Sequence, residues 1–148
     1  MMVFPSYSIN HLKISFDKMV MKNFLKNFLF TQSKFSSISV TGSKFISFMS
    51  TPLVIENTYN LHNQKIINDP NPFIVEDDIF NVINCDFINC STGLNVEAST
   101  ENKIYSRGGA IKYVREKGSI TVYGSIFDNC LAEDGDGGAI FVAGIEKV

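Results

Sequence analysis

The sequence predicts an all-β chain, a right-handed parallel β-helix (solenoid) of about three coils over residues 33–148. Three observations predict it: gap-free internal repeats, strands of period two, and glycine- and asparagine-bearing turns between them. The segments Ile38–Phe48, Phe80–Cys90 and Ile120–Cys130 superpose without gaps, and the first and third share Val40/Val122, Gly42/Gly124, Ser43/Ser125 and Phe45/Phe127. Their starts lie 42 and 40 residues apart, a variable period that suits coils whose turns differ in length. A second element, Gly108-Gly-Ala-Ile111, recurs as Gly137-Gly-Ala-Ile140, 29 residues on. That interval holds three short strand-like pieces, Ala110–Val114, Ser119–Tyr123 and Ser125–Asn129.

Within Ser119–Tyr123, Ile120 and Val122 fall on one face and Thr121 and Tyr123 on the other, the alternation of a half-buried strand. Strands of this kind, repeated along a chain, satisfy their backbone groups by pairing with their counterparts in the next repeat, about 4.8 Å away. Like residues then stack on like. Phe45, Phe87 and Phe127 are expected to form an internal aromatic ladder and Ile38, Phe80 and Ile120 a second row. Asn89 and Asn129 share a turn position, where an amide can donate to one neighbour and accept from the other; Ser47 interrupts that row. The paired glycines suit a sharp turn with no room for a side chain under the next coil. Pro52 and Leu53 stand there in the first copy, so its turn must differ.

Residues 1–32 do not join the repeat clearly. Met21, Phe24, Leu25, Phe28 and Leu29 lie at helical spacing, with Ser15 or Asp17 available as an N-cap, which predicts a short amphipathic helix capping the first coil. The alternative, a degenerate extra coil with Phe16 in the ladder, stays open. The stretches 58–72 and 91–107 carry Asn, Ser, Thr, Asp and Pro and read as loops projecting from the stack.

Composition limits the functions. The 148 residues are 45% hydrophobic and 19% charged, the balance of a folded chain. A net charge of -2 without a basic cluster argues against nucleic-acid binding. The most apolar stretch, Met19–Phe30, is interrupted by Lys22 and Lys26, so neither a signal peptide nor a membrane span is expected in this chain. Cys85, Cys90 and Cys130 match no zinc spacing, and the redox state they imply stays open. Cys90 and Cys130 occupy equivalent places in successive copies; stacked reduced thiols are preferred to a disulfide, because side chains on neighbouring parallel strands point the same way.

Gly-Gly-Ala-Ile paired with Phe-Ile-Asn (87–89) and Phe-Asp-Asn (127–129) resembles the repeats of polymorphic outer-membrane proteins, defined by Gly-Gly-Ala-Ile and Phe-x-x-Asn tetrapeptides. Here Asn stands at the second place after Phe, and Cys90 and Cys130 take the third. The resemblance covers Ile79–Ile140 directly and residues 35–57 only through the internal repeat. It implies a surface-exposed or secreted adhesin-like protein, of which this chain is a piece or a gene remnant. The partner it implies is a host or neighbouring-cell surface protein or glycan, met through exposed loops.

No catalytic, cofactor-binding or metal residue is assigned. Parallel β-helices also house pectate lyases and polygalacturonases, so a carbohydrate-active enzyme is the rival expectation. Glu76-Asp77-Asp78 offers clustered carboxylates and Arg107 or Arg115 a cation, yet Gly-His-Gly and Arg-x-Lys elements are missing, and a solvated acidic turn is the better reading. Asp134-Gly-Asp136-Gly imitates the start of a calcium loop without the later carboxylates, and reads as a glycine-rich turn. His11 and His62 stand beside no nucleophile or second ligand.

Overall fold

In the computed structural model of the chain, residues 2–3, 13–32, 35–56, 79–92, 107–115, 118–133 and 135–144 are described. They form only strands and turns, arranged in parallel sheets. The order is β1 (Met2–Val3), β2 (Lys13–Asp17), β3 (Val20–Lys22), β4 (Leu29–Thr31), β5 (Ser37–Thr41), β6 (Lys44–Ile46), β7 (Leu53–Ile55) and β8 (Ile79–Ile83). It continues with β9 (Asp86–Ile88), β10 (Ser91–Thr92), β11 (Ile111–Val114), β12 (Ser119–Tyr123), β13 (Ile126–Asp128), β14 (Leu131–Ala132) and β15 (Ile140–Ala143).

Sheet I runs β1-β4-β7-β11-β15, sheet II runs β12-β8-β5-β2, sheet III runs β13-β9-β6-β3, and β10 pairs with β14. The chain visits sheets II, III and I in that order four times, and we call each visit a rung. This is an arrangement consistent with a β-solenoid. Ile38, Phe80 and Ile120 are in register in sheet II and Phe45, Phe87 and Phe127 in sheet III, as the repeat predicts.

The predicted N-terminal helix is not formed. Residues 13–17, 20–22 and 29–31 are strands paired residue for residue with β5, β6 and β7. Two features defeat the helix. Lys18 and Asn23 take positive φ (51° and 60°), which ends any helical run, and Leu25, on its apolar stripe, is exposed. In-register pairing instead buries Phe16, Phe28 and Leu29 against rung 2. The extra-coil alternative therefore holds, giving four rungs where about three were expected. Phe16 does not enter the Phe45 column, however. It is in register with Val40, and Met21 takes the place below Phe45. Its ring meets Phe28 edge-on at 5.1 Å, and Phe28 reaches Phe45 at 5.6 Å.

Two tight corners repeat in every rung. Between sheets II and III, Lys18, Gly42, Asn84 and Gly124 all have positive φ (51°, 57°, 53° and 61°). After sheet III, Asn23, Ser47, Asn89 and Asn129 do the same (60°, 57°, 52° and 49°). A left-handed residue reverses the chain in one step, and its N–H donates to the rung above: Gly42 to the Ile83 carbonyl at 2.9 Å, Asn84 to Tyr123 at 2.8 Å, Asn89 to Asp128 at 2.9 Å. The expected asparagine ladder is present where the sequence allows it, with Asn129 Nδ2 donating to Asn89 Oδ1 at 2.8 Å.

The interior is a set of stacked columns. Phe45, Phe87 and Phe127 are parallel rings with centroids 5.0 Å apart at both steps. Phe80 stacks on Tyr113 at 6.0 Å, joining sheet II to sheet I. Gly108 and Gly137 share φ 70° at the entry to sheet I, and Ile111 pairs with Ile140. In rung 2 the equivalent turn is different, as Pro52 requires: Thr51 Oγ1 donates to the Gly108 carbonyl at 2.7 Å inside the protein.

Candidate functional site

Three places in the described residues bring polar or reactive groups together. The first is the interior lining of the II–III corner, where Met19, Ser43, Cys85 and Ser125 form a column. Each short side chain in it serves two rungs. Ser43 Oγ donates to the Thr41 carbonyl at 3.0 Å and accepts the Met19 N–H at 3.1 Å; Ser125 Oγ accepts the Cys85 N–H at 3.1 Å and donates to Tyr123. Cys85 lies between them, its thiol directed at the Val40 and Ile83 carbonyls, both at 3.4 Å. Burial pushes this thiol's pKa up, so it stays protonated and inert. The column satisfies corner N–H groups and has no reactive function.

The second place is the next corner, where Phe24 stacks on Phe48 at 5.1 Å and the two upper rungs substitute Cys90 and Cys130. Both are free thiols in contact with each other, which agrees with the reduced stack expected from the strand geometry. A hydrogen bond from the Cys90 thiol favours the Cys130 thiolate and lowers the Cys130 pKa, while the same bond, with burial, pushes Cys90 up. Cys130 is half-buried and Cys90 is inside. Iodoacetamide is therefore expected to label Cys130 alone in the folded protein, with a pH midpoint below that of an ordinary thiol. In Cys90→Ala the midpoint should move up, because the donor to the thiolate is gone. Peptide mapping of labelled protein across pH reads both, and equal labelling of all three thiols would refute the assignment.

The third is on the outer face of sheet I. There Phe30, Val54, Lys112 and Phe141 are in register, and Val54 and Lys112 are nonetheless buried. Lys112 Nζ forms an ion pair with Glu56 Oε1, and Gln32 Nε2 donates to Glu56 Oε2 at 3.5 Å. The pair bridges positions 56 residues apart and ties rung 2 to rung 3. One cation and one carboxylate engaged with each other can clamp a structure. Hydrolytic or lyase chemistry needs a further acid, base or metal beside them. Among the described residues no group of three or more His, Cys, Asp or Glu could hold a metal ion.

The geometry around these places offers no further guide from relatives. No family model, curated protein or solved structure matches the chain.

The residues singled out in the sequence fare unequally. Arg115 is buried, with its guanidinium 5.4 Å from the Phe35 ring centroid, rather than facing a substrate. Arg107 pairs with Asp136 at 3.3 Å and lies 4.7 Å from the Phe141 ring, so both it and Asp136 brace the Gly-Gly-Ala-Ile turn. The carboxylates 76–78, Asp134, His11, His62 and the loop stretches 58–72 and 93–106 lie outside the described residues. The Lys112–Glu56 pair escaped the sequence reading because nothing local links the two positions. The Ser43/Cys85/Ser125 column was readable from the recurring Gly-Ser and Asn-Cys pairs.

Among the described residues no helix is long and apolar enough to cross a membrane.

Proposed function

We propose that the chain is a structural, adhesion-type segment of a surface-exposed repetitive protein, wound as a right-handed parallel β-helix and without catalytic activity. The hand follows from the general preference of crossovers between parallel strands, set by the twist of L-residue strands. One observation carries the display role. Lys13, Ser37, Ile79 and Ser119 are stacked in register although the intervals between them are 24, 42 and 40 residues. The additional residues enter at 57–78 and 93–106 without disturbing the ladders on either side. A rigid frame that absorbs long polar insertions suits presentation of loops to a partner. The Gly-Gly-Ala-Ile repeats resemble those of polymorphic outer-membrane proteins, which favours a cell-surface protein or glycan as that partner.

The test uses beads coated with the full chain on epithelial monolayers, beside a variant with residues 58–72 and 93–106 each replaced by a short Gly-Asn turn. Saturable adhesion that the shortened variant loses, with its circular dichroism unchanged, is the expected result. Adhesion equal in both proteins, or none, rejects the proposal. Incubation with polygalacturonate and calcium addresses the pectate-lyase-like alternative, and release of unsaturated uronides would establish that reading instead.

A further inference from the structure

The two end rungs expose complementary faces. In sheet III one outward column runs Val20, Lys44, Asp86, Ile126 and the other runs Lys22, Ile46, Ile88, Asp128. The inner rungs place an ion pair in the first column, Lys44 to Asp86 at 2.7 Å, and apolar side chains in the second. The end rungs reverse this. Val20 and Ile126, about 60% exposed, hold the first column, and Lys22 and Asp128, of opposite charge, hold the second. Among the described residues the outer edges of β2 and β12 in sheet II and of β3 and β13 in sheet III pair with nothing.

We propose that a second copy of this chain stacks head to tail on the first, β12 and β13 of one copy pairing in parallel with β2 and β3 of the next. Continuing the register sets Ile126 against Val20, Phe127 against Met21 and Asp128 against Lys22. Sheet II then sets Ile120 against Ile14 and Val122 against Phe16. The contact repeats what already joins rung 2 to rung 3, an in-register apolar column and one Lys–Asp pair. In sheet I, β15 reaches β4 at the place β1 occupies. A two-residue strand gives way there to a four-residue one, since Ile140, Ile111, Leu53 and Leu29 share one register. Head-to-tail contacts do not close on themselves, so the product is a linear series of oligomers.

Sedimentation velocity of the full chain over a wide concentration range is the experiment, with Lys22→Asp, Asp128→Lys and the double variant. Both residues are exposed, and circular dichroism verifies that each variant is folded. Oligomers should grow with concentration, each single reversal should weaken association about fivefold, and the double reversal should restore it. A monomer at every concentration, as when another part of a longer polypeptide covers the edge, overturns the proposal. So do oligomers indifferent to the reversals or not rescued by the double variant.

Discussion

Phe87→Ala is expected to lower the free energy of unfolding by about 3–5 kcal/mol, the cost of deleting a buried aromatic from a packed interior. Phe87 is fully buried and is the only ring of its column stacked on both sides, 5.0 Å from Phe45 and 5.0 Å from Phe127. Its removal leaves a gap that neither neighbour can close, because each is fixed by its own strand pairing. A domain of this size has roughly 5–15 kcal/mol in all, so the variant should be close to unfolded at 37 °C, a temperature at which circular dichroism would show it. The comparison is Phe127→Ala, whose ring is only partly buried and stacks on one side. It should cost about half as much, and equal losses in a urea titration would contradict the continuous ladder.

A single methyl group should have a still larger effect at Gly109. A Cβ there would stand 2.3 Å from the Gly138 carbonyl oxygen and 2.7 Å from both the nitrogen and the oxygen of Leu131. All three are backbone atoms of rung 4, held by the hydrogen bonds Gly109 N–H to Gly138 and Leu131 N–H to Cys90. None can move aside without breaking the ladder. Gly109→Ala is therefore expected to detach rung 4 from rung 3, a loss above about 4 kcal/mol. Gly138→Ala, at the same place in the motif one rung higher, meets only the Cys130 carbonyl at 3.5 Å, an ordinary contact. It should change stability by no more than about 0.5 kcal/mol. Hydrogen exchange at Ile111–Val114 and Ile140–Ala143 distinguishes them: fast exchange in the first variant and near-native protection in the second. Similar protection in both would show that the close approach at Gly109 is not a constraint.

The stacking arrangement was legible because a solenoid writes its contacts along the sequence at matching offsets. Phe45, Phe87 and Phe127, or Asn89 and Asn129, could be aligned before any geometry was known, and the alignment is the strand register. Rung 1 was harder to read. Met21, Phe24, Phe28 and Leu29 are spaced by three and four residues, as on a helix, and the deciding corner residues Lys18 and Asn23 include a lysine, a residue that rarely marks a left-handed turn. The Lys112–Glu56 clamp was illegible for a different reason. Period-two alternation assigns Lys112 to an outward face, and sequence alone does not tell that this outward face is buried. The binding role is the least legible. It depends on inserted loops whose residues repeat nowhere in the chain, so no alignment of the repeats constrains them.

The corners between sheets II and III contain two residues in every rung, whereas the path from sheet I back to sheet II takes five residues after β4 and 23 after β7. Insertions and deletions are thus confined to one side of the molecule. A mutation that lengthens a tight corner by one residue shifts every following inward side chain outward, and selection removes it. Lengthening a loop leaves the phase of all columns intact. Such a chain is free to change its loops rapidly while its frame stays nearly constant, which is the pattern of variation that a molecule meeting changing partners needs.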